Sequence, residues 1–198
     1  MIKESKKTVF TTANILTLLR ILLIPVFMAL MLKHKITLAF VVFLIAVSTD
    51  LFDGIAARVW KQKTKLGTFL DPAADKLLMA STFIFLSLPS VSTPNTIPIW
   101  LVVVVVIRDI YIVSGALTYI RLTNATEAKP SFMGKICTVV EMSLLTLVLL
   151  FNSLGKAPAF LAPGYFLTMV IAILSAAHYT VIGIRGLQQY KRTQQKKT

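Results

Sequence analysis

Six apolar runs divide this chain, each long enough for about 20 residues of helix, the length that crosses a bilayer core. They cover residues 15–32, 36–57, 68–88, 97–119, 132–154 and 160–184. The expected fold is an all-α membrane protein, a bundle of six transmembrane helices joined by short loops. Leu88-Pro89-Ser90 and Thr93-Pro94-Asn95 mark one loop through proline and the residue before it. Lys156-Ala157-Pro158 and Ala162-Pro163-Gly164 leave the start of the sixth span open by several residues. Charged residues are 15% of the chain, against about 25% in a soluble domain. No internal repeat, coiled coil or separate soluble domain interrupts the pattern, so residues 1–198 read as a single domain. The polar start MIKESKKTVF and the lack of an A-x-A-like site predict no cleavable signal. The segment up to Thr12 could form a short interfacial helix, with Val9 and Phe10 toward lipid. Cys137 stands alone, which excludes an intramolecular disulfide and reads as a buried small apolar residue.

Orientation follows from the basic residues, which collect on the cytoplasmic side of a membrane. An even number of spans puts both termini on one side. That side would carry Lys3, Lys6, Lys7, Arg58, Lys61, Lys63, Lys65, Arg121, Lys129, Lys135, Arg185, Lys191, Arg192, Lys196 and Lys197. The other side has only Lys33, Lys35 and Lys156, while Arg20, Lys76 and Arg108 fall within spans. Both termini are therefore expected to be cytoplasmic. The net charge of +13 sits on membrane-flanking loops. Attraction to anionic membrane lipids accounts for it, and no nucleic-acid partner is expected.

Against this apolar background, four aspartates stand out in the run DLFDGIAARVWKQKTKLGTFLDPAAD, residues 50–75. An ionised carboxylate at membrane depth costs several kcal/mol and persists only when paired, hydrated or metal-bound. Asp50, Asp53 and Ala57 recur at i, i+3 and i+7, and Asp71 and Asp75 at i and i+4. Each set shares one helix face. Antiparallel neighbours joined by a short basic loop would bring the two pairs to one depth. An all-oxygen set with no Cys or His nearby suits a hard divalent cation such as Mg2+ better than zinc. Gly54 and Gly67 would let a phosphate or nucleotide approach the backbone closely. Arg58 could offer a fork of donors to phosphate. His34 and His178 lie away from the aspartates and read as interfacial or packing residues.

The pattern Asp50-x2-Asp53-Gly54-x2-Ala57-Arg58-x8-Gly67-x3-Asp71-x3-Asp75 resembles the signature of the CDP-alcohol phosphotransferases, also called CDP-alcohol phosphatidyltransferases, with every defining position present. The six expected spans extend the resemblance over nearly the whole chain. It implies an integral membrane, metal-dependent phosphatidyltransferase of phospholipid biosynthesis. Such an enzyme cleaves the pyrophosphate of CDP-diacylglycerol, transfers the phosphatidyl group to an alcohol and releases CMP. It further implies two Mg2+ (or Mn2+) ions per site, with Asp50, Asp53, Asp71 and Asp75 as ligands. Asp75 matches the family's general base, and Gly54, Ala57, Arg58, Thr64 and Gly67 match its CDP pocket. A homodimer in a bacterial inner (plasma) membrane, with its active site facing the cytoplasm, is the setting implied.

Two acceptors stay open. TTANILTLLRILLIPVF and GTFLDPAADKLLMA resemble phosphatidylglycerophosphate synthases, whose acceptor is glycerol 3-phosphate. Arg108-Asp109, SGALTYIRL and KPSFMGK also resemble the family's cardiolipin synthases, which use phosphatidylglycerol. The first acceptor is the reading adopted. Either carries a phosphate and needs cations, and Arg108, Lys135, Arg121 and Lys129 are the ones available. Intramembrane aspartates also occur in ion-coupled carriers, an alternative that alcohol-dependent release of CMP would exclude.

Overall fold

The computed structural model describes the backbone of residues 12–60, 65–123 and 131–195, and the side chains of these except 12–16, 50–60, 65–72, 191, 193 and 194. The proposed interfacial segment before Thr12 lies outside the described residues. Among the described residues six α-helices follow one another: α1 Thr12–Leu32, α2 Ile36–Trp60, α3 Lys65–Ser87, α4 Ile99–Thr123, α5 Phe132–Ser153 and α6 Leu161–Gln195. Ile99–Thr123, Phe132–Ser153 and Leu161–Tyr190 are long and apolar enough to cross a membrane, and Thr17–Leu32 and Ile36–Thr49 are shorter apolar stretches. Pro163 sits in the first turn of α6, where its missing N–H would have had no helical acceptor. That explains why the proline-rich approach does not delay the helix.

The chain forms two compact units. The first comprises Met1–Thr96 and Leu149–Lys156. In it α1 packs against α2 and α3. The buried row of α1 is Thr17, Arg20, Ile24, Phe27 and Met31, and that of α2 is Ala39, Phe43, Ala46 and Thr49. These steps of three and four residues keep each row on one helical face. The rings of Phe27 and Phe43 meet at 6.2 Å. Between the helices the chain reverses in three residues. The Lys35 N–H bonds the Leu30 carbonyl and the His34 N–H bonds that of Met31, with His34 left-handed at φ 55°. This is the double bond pattern of a Schellman cap, a place usually held by glycine. Gly155 serves the same end in α5, at φ 64°.

The α3–α4 connection is held by a closed set of neutral groups. Asn152 Nδ2 donates to Ser92 Oγ and to the Asn95 carbonyl, both at 2.8 Å. Asn152 Oδ1 accepts from Asn95 N at 2.7 Å and from Asn95 Nδ2 at 2.8 Å. Asn95 Nδ2 also reaches the Lys156 carbonyl at 2.7 Å.

The second unit comprises Ile97–Val148 and Ala157–Thr198, with α4 packed on α6. Trp100 and Phe166 stack at 5.3 Å between them. Ser131 caps α5, its Oγ accepting from the Gly134 N–H at 2.9 Å, one of the donors a helix start leaves without a helical partner. The Ser131 N–H in turn donates to the Tyr179 hydroxyl at 3.2 Å. Tyr179 lies so close to Gly134 that a Cβ there would sit 2.7 Å from its hydroxyl oxygen.

Candidate active site

The first unit holds the aspartates. The backbone of α2 is helical through Asp50, Asp53, Gly54, Ala57 and Arg58, and that of α3 through Gly67, Asp71 and Asp75. The i, i+3 and i, i+4 spacings therefore act on helices, as the sequence analysis requires. Thr64 and the side chains of residues 50–60 and 65–72 lie outside the described residues. Asp75 is half-buried in α3 and engaged in polar interactions. Among the described residues no three His, Cys, Asp or Glu side chains gather as a metal cluster. The donor chemistry nonetheless fits a hard divalent cation, because two helices each carry two carboxylates at face-sharing positions and no softer ligand.

The acceptor-side cations belong to the second unit. Arg108 is buried in α4, with 6% of its surface exposed. Its Nη1 donates to Asp109 Oδ1 at 2.7 Å and its Nη2 to Ser175 Oγ at 2.6 Å. Glu141, wholly buried in α5, places Oε1 3.9 Å from Nη1. The Nε–H of Arg108 is buried without a hydrogen-bond acceptor. One guanidinium thus sits beside two carboxylates, held in orientation by α4, α5 and α6. Lys135 and Arg121 are exposed, in the first turn of α5 and the last turn of α4, and Lys129 lies outside the described residues.

Glu141 and Ser175 have no place in the sequence reading. The available signal was small: Glu141 is the only acidic residue in the fifth apolar run, one turn after Cys137. Cys137 is buried as expected, but it also donates its S–H to Glu141 Oε1 at 3.1 Å. Between the C-terminal halves of α4 and α6 lies a cavity of about 610 Å³, lined by Tyr111, Ser114, Gly115, Tyr179, Gly183 and Gly186 among others. The Tyr111 and Thr180 hydroxyls hydrogen-bond at 2.8 Å on its wall. Among the described residues no charged side chain lines it.

Three helices of membrane length, in a structure whose described residues form helices alone, define an integral membrane protein. The chain belongs to the CDP-alcohol phosphatidyltransferase family, whose sequence model matches residues 10–182. It is 30% identical over 187 residues to the CDP-diacylglycerol–glycerol-3-phosphate 3-phosphatidyltransferase of Blochmanniella floridana, covering 92% of this chain and 96% of that one. The protein of the same name in Escherichia coli K12 is 31% identical over 174 residues, 86% of this chain and 93% of the relative. A probable CMP-forming cardiolipin synthase of Drosophila melanogaster is 33% identical over 164 residues, 75% of this chain but 49% of the relative. The chain therefore spans about half the length of that relative and nearly all of the first two.

Proposed function

We propose that this protein is a CDP-diacylglycerol–glycerol-3-phosphate 3-phosphatidyltransferase, a phosphatidylglycerophosphate synthase. The observation that carries this choice of acceptor is coverage: the two relatives of that name are matched over 96% and 93% of their length, the cardiolipin synthase over 49%. Residues 1–198 act as one membrane domain with six spans and both termini in the cytoplasm, in a bacterial inner membrane, and the protein works as a homodimer. The charge distribution supports that orientation.

Asp50, Asp53, Asp71 and Asp75 would hold two Mg2+ or Mn2+ ions. Bound there, the cations would neutralise the charge that grows on the departing CMP phosphate. Gly54, Ala57, Arg58, Thr64 and Gly67 receive the CDP portion. Asp75 takes the proton from the acceptor hydroxyl as its oxygen attacks the lipid-bearing phosphorus. The new P–O ester forms, the pyrophosphate P–O bond breaks, and CMP leaves with the electron pair. Positioning and electrostatics are the main demands of such a transfer. Arg108, Lys135, Arg121 and Lys129 receive the acceptor's phosphate, which competes with Asp109 for Arg108 Nη1.

Cardiolipin synthesis from phosphatidylglycerol is the second reading, favoured by the 33% identity to a relative of that name. Thin-layer analysis of products from purified protein, CDP-diacylglycerol, Mg2+ and each acceptor distinguishes the two. Phosphatidylglycerophosphate from glycerol 3-phosphate is the expected product. Cardiolipin from phosphatidylglycerol, with no transfer to glycerol 3-phosphate, would replace the first reading with the second. CMP release that needs no alcohol at all would exclude both.

A further inference from the structure

Arg20 takes no part in the chemistry above, yet it is the bulkiest fully buried side chain among the described residues, with 0% of its surface exposed. A guanidinium at such a depth in an apolar helix needs compensating partners, and a carboxylate is the strongest, since an uncompensated buried charge costs several kcal/mol. The carboxylates of the first unit are Glu4, upstream of α1, and the four aspartates of α2 and α3.

Helix register brings one of the α2 aspartates level with Arg20. α1 and α2 run antiparallel through a three-residue turn, and the Phe27–Phe43 ring contact fixes their alignment. Counting outward from that contact, Met31 falls level with Ala39 and Ile24 with Ala46, each a buried position. The same count sets Arg20 level with position 50 and Thr17 with position 53. Arg20 and position 50 are each seven residues from the ring pair, about 10.5 Å along the axes at 1.5 Å per residue. Seven residues is close to two turns, so both positions stay on the facing sides of their helices.

We propose that Arg20 is a positioning residue for the aspartate centre, pairing with Asp50 across the α1–α2 interface. It fixes which oxygens of that carboxylate remain for a divalent cation. This rests on the reading of Asp50 as a metal ligand. A carboxylate has two oxygens and about four lone-pair sites, so a guanidinium fork can take one side and leave the other. Partners of metal ligands commonly contribute about 10- to 100-fold to metal affinity. Plain charge repulsion would act in the opposite sense, and removing Arg20 would then tighten cation binding.

The test uses the full-length protein in lipid nanodiscs. Mn2+ binding is followed by electron paramagnetic resonance in the wild type, Arg20→Lys and Arg20→Met. Thermal melts in EDTA are compared for Arg20→Met, Asp50→Asn and the double variant. Arg20→Met is expected to weaken Mn2+ binding about 10- to 100-fold, and Arg20→Lys, which keeps the charge without the fork, by less. In EDTA the double variant should lose less melting temperature than the two single losses added together. Unchanged or tighter Mn2+ binding in both Arg20 variants, or strictly additive melting losses, would overturn the proposal. A wild type that binds no Mn2+ would remove the metal reading instead, while the metal-free melts still decide the pairing. Should Arg20→Met fail to insert, Arg20→Lys supplies both measurements.

Discussion

Two buried polar networks in this molecule are built on opposite plans. The one around Asn152 is neutral and closed: its amide donates twice and accepts twice, and Asn95 and Ser92 complete the set. The one around Arg108 is charged and open. Two carboxylates attend one guanidinium, one of them at 3.9 Å, and the Arg108 Nε–H has no acceptor. A closed network has no capacity left for a ligand, so its role is to fix a connection. An open, charged one keeps donors that can respond when another charge arrives. Buried polar groups in a membrane protein therefore separate into structure and function by what remains to be satisfied, rather than by how deep they lie.

The largest effect on turnover is expected at the aspartates. Asp50→Asn or Asp71→Asn should abolish turnover at saturating Mg2+ while the protein still inserts and melts cooperatively, because an amide keeps the shape and loses the anion. Full activity in either variant would remove the two-cation reading. Asp75→Asn should lower kcat by about 10²–10⁴-fold, with a smaller change in donor binding, as befits a general base. Equal losses of both would make Asp75 a ligand first.

Asn152→Ala should fall at the other pole. It strands buried partners on Asn95 and Ser92, each costing about 1–3 kcal/mol, so stability should drop by about 2–6 kcal/mol with the KM values of the folded fraction unchanged. A shift in acceptor KM would break the distinction between the two networks. Arg108→Ala should act on substrate binding beyond any loss of stability, raising the KM for glycerol 3-phosphate about 10- to 100-fold, the equivalent of one charge-assisted hydrogen bond, and leaving that for CDP-diacylglycerol almost unchanged. A pure loss of stability would place Arg108 with Asn152. The smallest effect is expected at His34→Gly, which should stabilise the α1–α2 turn by about 0.5–1 kcal/mol, because glycine adopts positive φ without steric cost. Melting temperature measures it.

Much of this plan was legible in the sequence. Each apolar run became a helix, and the second begins at Ile36 as its hydropathy predicts. The sixth helix continues to Gln195, eleven residues past the end of its apolar run. Hydropathy marks where lipid ends, whereas Arg, Leu, Gln and Lys go on favouring helix in water. The helical placement of the aspartate pattern was readable because each pair lies within a single helix. Glu141 was not, since a lone acid gains meaning only when Arg108, thirty-three positions away, is folded against it. The His34 cap escaped for a different reason: the sequence offers no Gly or Asn there to announce a left-handed residue.

The three-residue reversal at Lys33–Lys35 carries an evolutionary consequence. With so little slack, a residue inserted or deleted between Phe27 and Phe43 would turn one helix by about 100° against the other and carry the downstream half of α2 off its facing side. Length drift should therefore be purged from this stretch. Among descendants of a common ancestor, the sixteen-position interval from Phe27 to Phe43 should be inherited as a fixed length even where its residues diverge.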